Sequence, residues 1–154
     1  MLTEQRFHEE IKSFVERMVS EKLNWSLCEN GKYAKESHLE QLPDGRIISA
    51  EAHVIYNSTY QVPVIWFNYF ENNGTPLQFS TVVRDVLQIS EEESDASIRT
   101  RISHLEHPFL GVLYFNIHPC NTSGLMKELK TDDTYLLPWF SVYGPQIRLR
   151  VPTF

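Results

Sequence analysis

Asn116-Ile117-His118-Pro119-Cys120-Asn121-Thr122-Ser123 closes an apolar run, Phe109-Leu-Gly-Val-Leu-Tyr-Phe115, and opens a polar one that leads to Lys127-Glu-Leu-Lys130. An apolar run, a stiff turn, capping residues and helix formers, in that order, read as a strand giving way to a helix with a thiol at the junction. Pro119 fixes its own φ and pushes His118 toward an extended conformation. Asn121, Thr122 and Ser123 are all competent N-caps. A cysteine at such a helix start meets the positive end of the helix dipole, which favours thiolate over thiol. The alternative is a small buried hydrophobe, because free cysteine is among the most buried residue types.

The chain of 154 residues is read as one domain, 1–154, long enough to bury its own core. Its net charge of −6 argues against nucleic acid as the main partner, since phosphate binding shows as a basic excess. The two cysteines, Cys28 and Cys120, are far apart in sequence and cannot build a framework of several disulfides. Met1-Leu-Thr-Glu-Gln-Arg6 lacks the apolar segment of a secretion signal, and no stretch has the length of a membrane span. A soluble, cytoplasmic protein with reduced thiols is expected.

Upstream of the junction, Thr3 is placed to cap a helix whose Phe7, Ile11, Phe14, Val15 and Met18 recur at helical spacing. Asn30-Gly31 reads as a hairpin turn between strands at Trp25–Cys28 and Tyr33–Leu39, and Pro43-Asp-Gly45 as the next turn. Arg46 to Tyr56 reads as a strand with Ile48, Ala50, Ala52, Val54 and Tyr56 on one face and Glu51 and His53 on the other. Tyr60 to Phe70 is nearly continuous in apolar and aromatic residues, as a strand covered on both sides would be, with Pro63 marking its start or a sheet edge.

The span from Leu77 to Arg101 is the hardest to assign. Phe79, Val82, Val83, Val86 and Leu87 have helical spacing, while Ser90-Glu-Glu-Glu93 is either a capping box or a charged loop. Ile98, Thr100 and Ile102 alternate as a short strand would, and His107-Pro108 breaks the pattern. Beyond the helix from Thr122 to Lys130, Tyr135–Tyr143 reads as a helix with Pro138 in its first turn, stopped by Gly144-Pro145. Ile147, Leu149 and Val151 alternate as a terminal strand.

Three constellations are able to carry chemistry: Cys120 with its neighbours Asn116, His118 and Thr122; a cysteine–histidine peptidase dyad; or a metal site of Cys28, Cys120 and histidines. No paired-ligand motif supports the metal site, and no peptidase signature supports the dyad. His118 shares a face with Cys120 if the strand runs that far; otherwise its imidazole simply holds the loop.

His118-Pro119-Cys120, preceded by His107-Pro108-Phe-Leu-Gly111, resembles the active-site segment of the autophagy conjugating enzymes, relatives of the ubiquitin-conjugating enzymes. Tyr60-Gln-Val-Pro-Val64 is similar to their aromatic strand, and Trp139-Phe-Ser-Val-Tyr-Gly-Pro145 to the ending of the members that modify a protein rather than a lipid. The resemblance spans roughly Ala52 to Gly144. It implies a ubiquitin-conjugating-enzyme-like core and no cofactor. It also implies that Cys120 accepts the ubiquitin-like autophagy protein twelve as a thioester from the activating enzyme, autophagy-related protein seven. A lysine of autophagy protein five would then take the modifier. On this resemblance Tyr60 orients or desolvates the lysine. The His-Pro-Asn triplet of ordinary ubiquitin-conjugating enzymes is absent, which leaves Asn116 or His118 to stabilise the oxyanion.

The expectation is therefore an α+β fold, an antiparallel sheet of about four strands flanked by helices. Tyr56, Val62, Val64 and Trp66 belong to a hairpin that either offers an edge to the acceptor by strand addition or is simply core. A non-catalytic adaptor using that hairpin is the alternative function.

Overall fold

The computed structural model describes residues 1–151. Helix α1 (Glu4–Ser20) opens on Thr3, whose Oγ1 accepts from the Arg6 N–H, and buries Phe7, Ile11, Phe14, Val15 and Met18. That apolar stripe covers one face of a six-stranded antiparallel sheet. Its strands are β1 (Trp25–Cys28), β2 (Tyr33–Gln41), β3 (Ile47–Asn57), β4 (Val62–Phe70), β5 (Ile102–Glu106) and β6 (Leu113–Ile117), in the spatial order β1-β2-β3-β4-β6-β5. The sheet thus has six strands rather than about four. The surplus is the β5–β6 hairpin.

The turns follow local chemistry. Asn30 at φ 57° and Gly31 at φ 84° close β1 on β2, and Gly45 at φ 93° closes β2 on β3. Both hairpins need left-handed backbone, which Asn and Gly adopt at least cost. Between β4 and β5 the expected helical spacing becomes a short helix, α2 (Phe79–Thr81), running into a π-helical turn at Val82–Val86 that buries all three valines. Ser90–Glu93 forms no helix; Ser94 caps α3 (Asp95–Arg99) instead, its hydroxyl accepting from the Ser97 N–H. Ile98 is therefore helical, and only Ile102 of the expected alternation lies in a strand.

After β6 come α4 (Thr122–Lys127) and α5 (Leu136–Tyr143). Glu10 of α1 holds the start of α5: its Oε1 accepts from the Tyr135 and Leu136 N–H groups and the Thr134 hydroxyl. Phe14 stacks on Phe140 at 4.1 Å between ring centres. The terminal strand expected at Ile147–Val151 does not form. Pro145–Ile147 is a 3-10 turn and Arg148 follows at φ 57°. Ile147 and Leu149 still bury, and other side chains serve the backbone: the Tyr69 hydroxyl donates to the Ile147 carbonyl, and Trp25 Nε1 to that of Arg150.

The opposite face of the sheet carries a second, smaller core of Tyr33, Ile55, Val62, Val64, Trp66 and Tyr114. The turn between β5 and β6 folds over part of it, with Phe109 stacked on Tyr33 at 4.8 Å. This corrects the hairpin expectation. β3 and β4 are interior strands with neighbours on both sides, so neither offers a full free edge. Val62, Val64 and Trp66 are buried, and Tyr56 is half-buried with its hydroxyl donating to the Leu2 carbonyl. Pro63 sits near the start of β4, beyond the two residues, Trp66 and Phe67, that pair with β6. Its missing N–H therefore costs no ladder bond to β6. Among the described residues no helix is long and apolar enough to cross a membrane.

Candidate active site

Strand β6 ends at Ile117, and the chain then turns tightly. The His118 N–H donates to the Arg101 carbonyl at 2.8 Å, fixing the strand end beside the start of β5. Pro119, Cys120 and Asn121 form one 3-10 turn with Pro119 at its first position, where a missing N–H is harmless. Pro119 is buried and Cys120 is exposed, so the proline anchors the turn and the thiol faces solvent. The structure decides between the two fates of the cysteine: Cys120 is not a core residue. Helix α4 starts at Thr122 as expected, but the side chain of its N-cap Asn121 does not cap it.

The capping is done by His118. Its Nδ1 accepts from the Cys120 N–H at 3.2 Å. A nitrogen that accepts carries no proton, so the ring's proton sits on Nε2 as a donor. In this state His118 holds the turn and can donate a hydrogen bond. It cannot take the thiol's proton through Nδ1, which is occupied.

Tyr60 comes from the turn between β3 and β4, not from a strand. Its N–H donates to Asn57 Oδ1 at 2.9 Å, and the next residue, Gln61, takes φ 56°. This turn brings the ring of Tyr60, 40% exposed, edge-on to that of His118 at 6.0 Å between centres. Tyr60, His118 and Cys120 thus gather at one end of the sheet, from segments sixty residues apart in numbering.

Asn116 lies deeper, 2% exposed on β6 between Trp66 of β4 and Ser103 of β5. Its side chain shares the smaller core's face with Tyr114, since Phe115 and Ile117 face the other way. Among the described residues the Asn116 Nδ2 has no hydrogen-bond partner. A buried amide donor left free costs on the order of 1–3 kcal/mol. It is thus a donor in reserve near the site rather than a tie in the fold.

Cys28 ends β1 and packs against the smaller core, half-buried. Among the described residues no three His, Cys, Asp or Glu side chains converge as a ligand set for a metal ion.

One arrangement was not readable in advance. His53 and His107, both 1% exposed, bond to one another, and His53 bonds on to Glu51. His107 Nδ1 also accepts from the Phe109 and Leu110 N–H groups at 3.1 Å, so this histidine caps the turn that leads into β6. The only signal was the His107-Pro108 break, which marks the turn but not its partners on β3.

Residues 6–154 match the family described as autophagocytosis associated protein, active-site domain. The chain is 34% identical over 110 residues to the ubiquitin-like-conjugating enzyme ATG10 of Arabidopsis thaliana, covering 65% of this chain and 49% of that one. It is 30% identical over 122 residues to the enzyme of the same name from Dictyostelium discoideum, covering 69% and 53%. The chain therefore spans about half the length of these relatives. Among solved structures, the crystal structure of the autophagic E2 Atg10 superposes with a TM-score of 0.63 at 14% identity, covering 93% of this chain and 94% of that one. That likeness is one of fold.

Proposed function

This chain belongs to the autophagocytosis associated protein family, active-site domain, and from that membership we propose that it is a cytoplasmic conjugating enzyme for a ubiquitin-like protein, with Cys120 as the acyl carrier. The observation that carries the proposal is the exposed thiol on a proline-anchored turn, its amide capped by a histidine whose other ring nitrogen carries the proton.

In the first step the Cys120 thiolate attacks the carbonyl carbon of the modifier's C-terminal glycine, held as a thioester on the activating enzyme. A new carbon–sulfur bond forms and the activating enzyme's thiolate leaves. In the second step the neutral amine of an acceptor lysine attacks the same carbon. The tetrahedral oxyanion collapses, Cys120 leaves as thiolate, and the amine's proton passes to water. Exchange between two thioesters is nearly balanced, so positioning carries much of the rate.

The site residues divide these tasks. His118 Nε2–H is the first candidate to meet the oxyanion, because its tautomer is set by the Cys120 N–H. Asn116, buried with a free amide, is the second. Tyr60, edge-on to His118, takes the proposed task of desolvating the incoming lysine, which lowers the cost of deprotonating it. Following the relatives' name, the modifier is proposed to be autophagy protein twelve, the donor autophagy-related protein seven and the acceptor autophagy protein five. The adaptor alternative keeps only the Val62–Ile65 edge of β4, which does not pair with β6, since the rest of the hairpin is interior.

The test is an adduct on non-reducing gels. Incubation with activating enzyme, ATP and modifier should give a species lost on adding dithiothreitol. Cys120→Ser should convert it to a reductant-stable ester or abolish it. If Cys120→Ala charges normally while Cys28→Ala does not, the carrier is the other thiol.

A further inference from the structure

Ile89, Ile102, Ile117 and Ile147 line a pocket of about 300 Å³, with the exposed Arg101 and Gln146 beside them. The four isoleucines come from the loop after the π-helical turn, from β5, from β6 and from the 3-10 turn after α5. Three of them are buried and Ile89 is half-buried. The volume sits at the lower end of the range for ligand pockets, and the wall is aliphatic. Arg101 is held in place by Glu93, its Nη2 at 2.9 Å from Oε1, so the polar side of the opening is fixed. The Arg101 carbonyl receives the His118 N–H, which joins the pocket to the capping residue of the thiol turn.

We propose that this pocket receives an aliphatic or aromatic side chain from the tail of the modifier esterified to Cys120, two to four residues upstream of its C-terminal glycine. The proposal rests on Cys120 being the acyl carrier. Cys120 lies three positions after Ile117, which is at most roughly 10 Å of chain, and the intervening turn shortens that. A tail extending from the thiol at about 3.3 Å per residue reaches the same distance in two to four residues. The covalent tether also selects the occupant. It holds the tail near the pocket at an effective concentration on the order of millimolar, which no freely diffusing chain matches. Specificity for the modifier would then reside partly in its last few side chains, read at the carrier itself.

Disulfide exchange tests this without the activating enzyme. In a Cys28→Ser background, Cys120 is equilibrated with the symmetric disulfides of short acetylated peptides ending in Gly-cysteamine that carry Leu, Phe or Ser two to four positions upstream, one peptide thiolate leaving as each mixed disulfide forms. Mixed disulfide is read by intact-mass spectrometry at fixed thiol buffer. The Leu or Phe peptide at the best offset is expected to exceed the Ser peptide about tenfold, the return on burying much of one such side chain. Ile89→Lys, and independently Gln146→Trp at the exposed rim, should erase that excess and leave the Ser adduct unchanged, which also reports an intact fold. Equal adducts for all peptides, or an excess that survives both variants, overturns the pocket. A protein that charges with modifier but shows no apolar preference loses only this proposal. One that shows the preference and never charges loses the occupant named here together with the conjugating function.

Discussion

The Nε2–H of His107 donates to Nδ1 of His53 across 2.7 Å, tying the turn before β6 to the middle of β3. The direction follows from the neighbours. His107 Nδ1 is taken by two backbone N–H donors, so its proton is on Nε2. His53 must then accept at Nδ1 and donate from Nε2 to Glu51 Oε1, also at 2.7 Å. The Tyr114 hydroxyl donates to the same oxygen at 3.0 Å, Lys35 Nζ lies 3.7 Å from it, and Tyr33 packs across both rings. Each member of this chain is satisfied only while both histidines are neutral.

Burial, then the neighbouring His53, pushes the His107 imidazole down to about 4. Its unfolded value is near 6.5, so between those pH values the unfolded chain binds the extra proton. The neutral network therefore contributes its full stability above about pH 6.5, and that contribution falls as pH drops toward 4, by up to about 1.4 kcal/mol per pH unit. Urea titrations from pH 7 to pH 4.5 should show this slope. His107→Asn is expected to lose about 1–3 kcal/mol at pH 7 and to show a shallower acid limb. Parallel limbs in the two proteins would exclude His107 as its source.

His38 acts at the other end of the scale. It lies on β2 between Glu36 and Glu40, with Nδ1 at 2.5 Å from Glu36 Oε1 and Nε2 at 3.0 Å from Glu40 Oε1. Burial works against its charge, but the hydrogen bonds and negative charges of the two glutamates outweigh it and raise His38 to about 9. A raised folded value means stability present below about pH 6.5 and lost as pH climbs through 9. His38→Gln should be less stable than the parent at pH 7 and approach it near pH 9.5 in the same titrations. A constant difference across that range would show that the loss is one of packing.

Local chemistry explains what the sequence made legible. The α1 stripe, the Asn30-Gly31 and Gly45 turns and the placement of Cys120 after a stiff proline all depend on residues within a few positions of each other. The misses depend on distant partners. The alternation at Ile147, Leu149 and Val151 looks like a strand, but Trp25 and Tyr69 supply the hydrogen bonds a neighbouring strand would have made. The β5 strand, Ile102-Ser-His-Leu-Glu106, is an edge with little apolar content and carries almost no pattern. His53 and His107, fifty-four residues apart, cannot be paired from their spacing. At the site, Cys120 and His118 were recognisable together, whereas the approach of Tyr60 required the left-handed turn at Gln61.

Gly144 is required for a reason other than backbone freedom. Its φ of −57° and ψ of −50° suit any residue. A Cβ there, however, would lie 2.7 Å from the Phe140 carbonyl oxygen, a backbone atom that cannot swing aside. Gly144→Ala should destabilise by about 1–3 kcal/mol, as overpacking typically does. A midpoint in urea equal to or above that of the parent would show that the end of α5 relaxes freely.

The final expectation separates holding the thiol from stabilising charge. His118→Ala removes both the cap on the Cys120 N–H and the Nε2–H donor. His118→Asn can keep both, since the amide offers an oxygen to accept and an NH2 to donate. Thioester formation should survive in each. Discharge to lysine should fall about 100- to 1,000-fold in the alanine variant and recover by at least tenfold in the asparagine variant. Tyr60→Phe keeps the ring against His118 and should discharge near the parent rate, while Tyr60→Ala should be slow and should need higher pH to recover, because the lysine is then left solvated and protonated. Single-turnover discharge of preformed thioester from pH 7 to pH 9.5 measures all four. If His118→Asn is as slow as His118→Ala while Asn116→Ala is slower still, the oxyanion donor is Asn116.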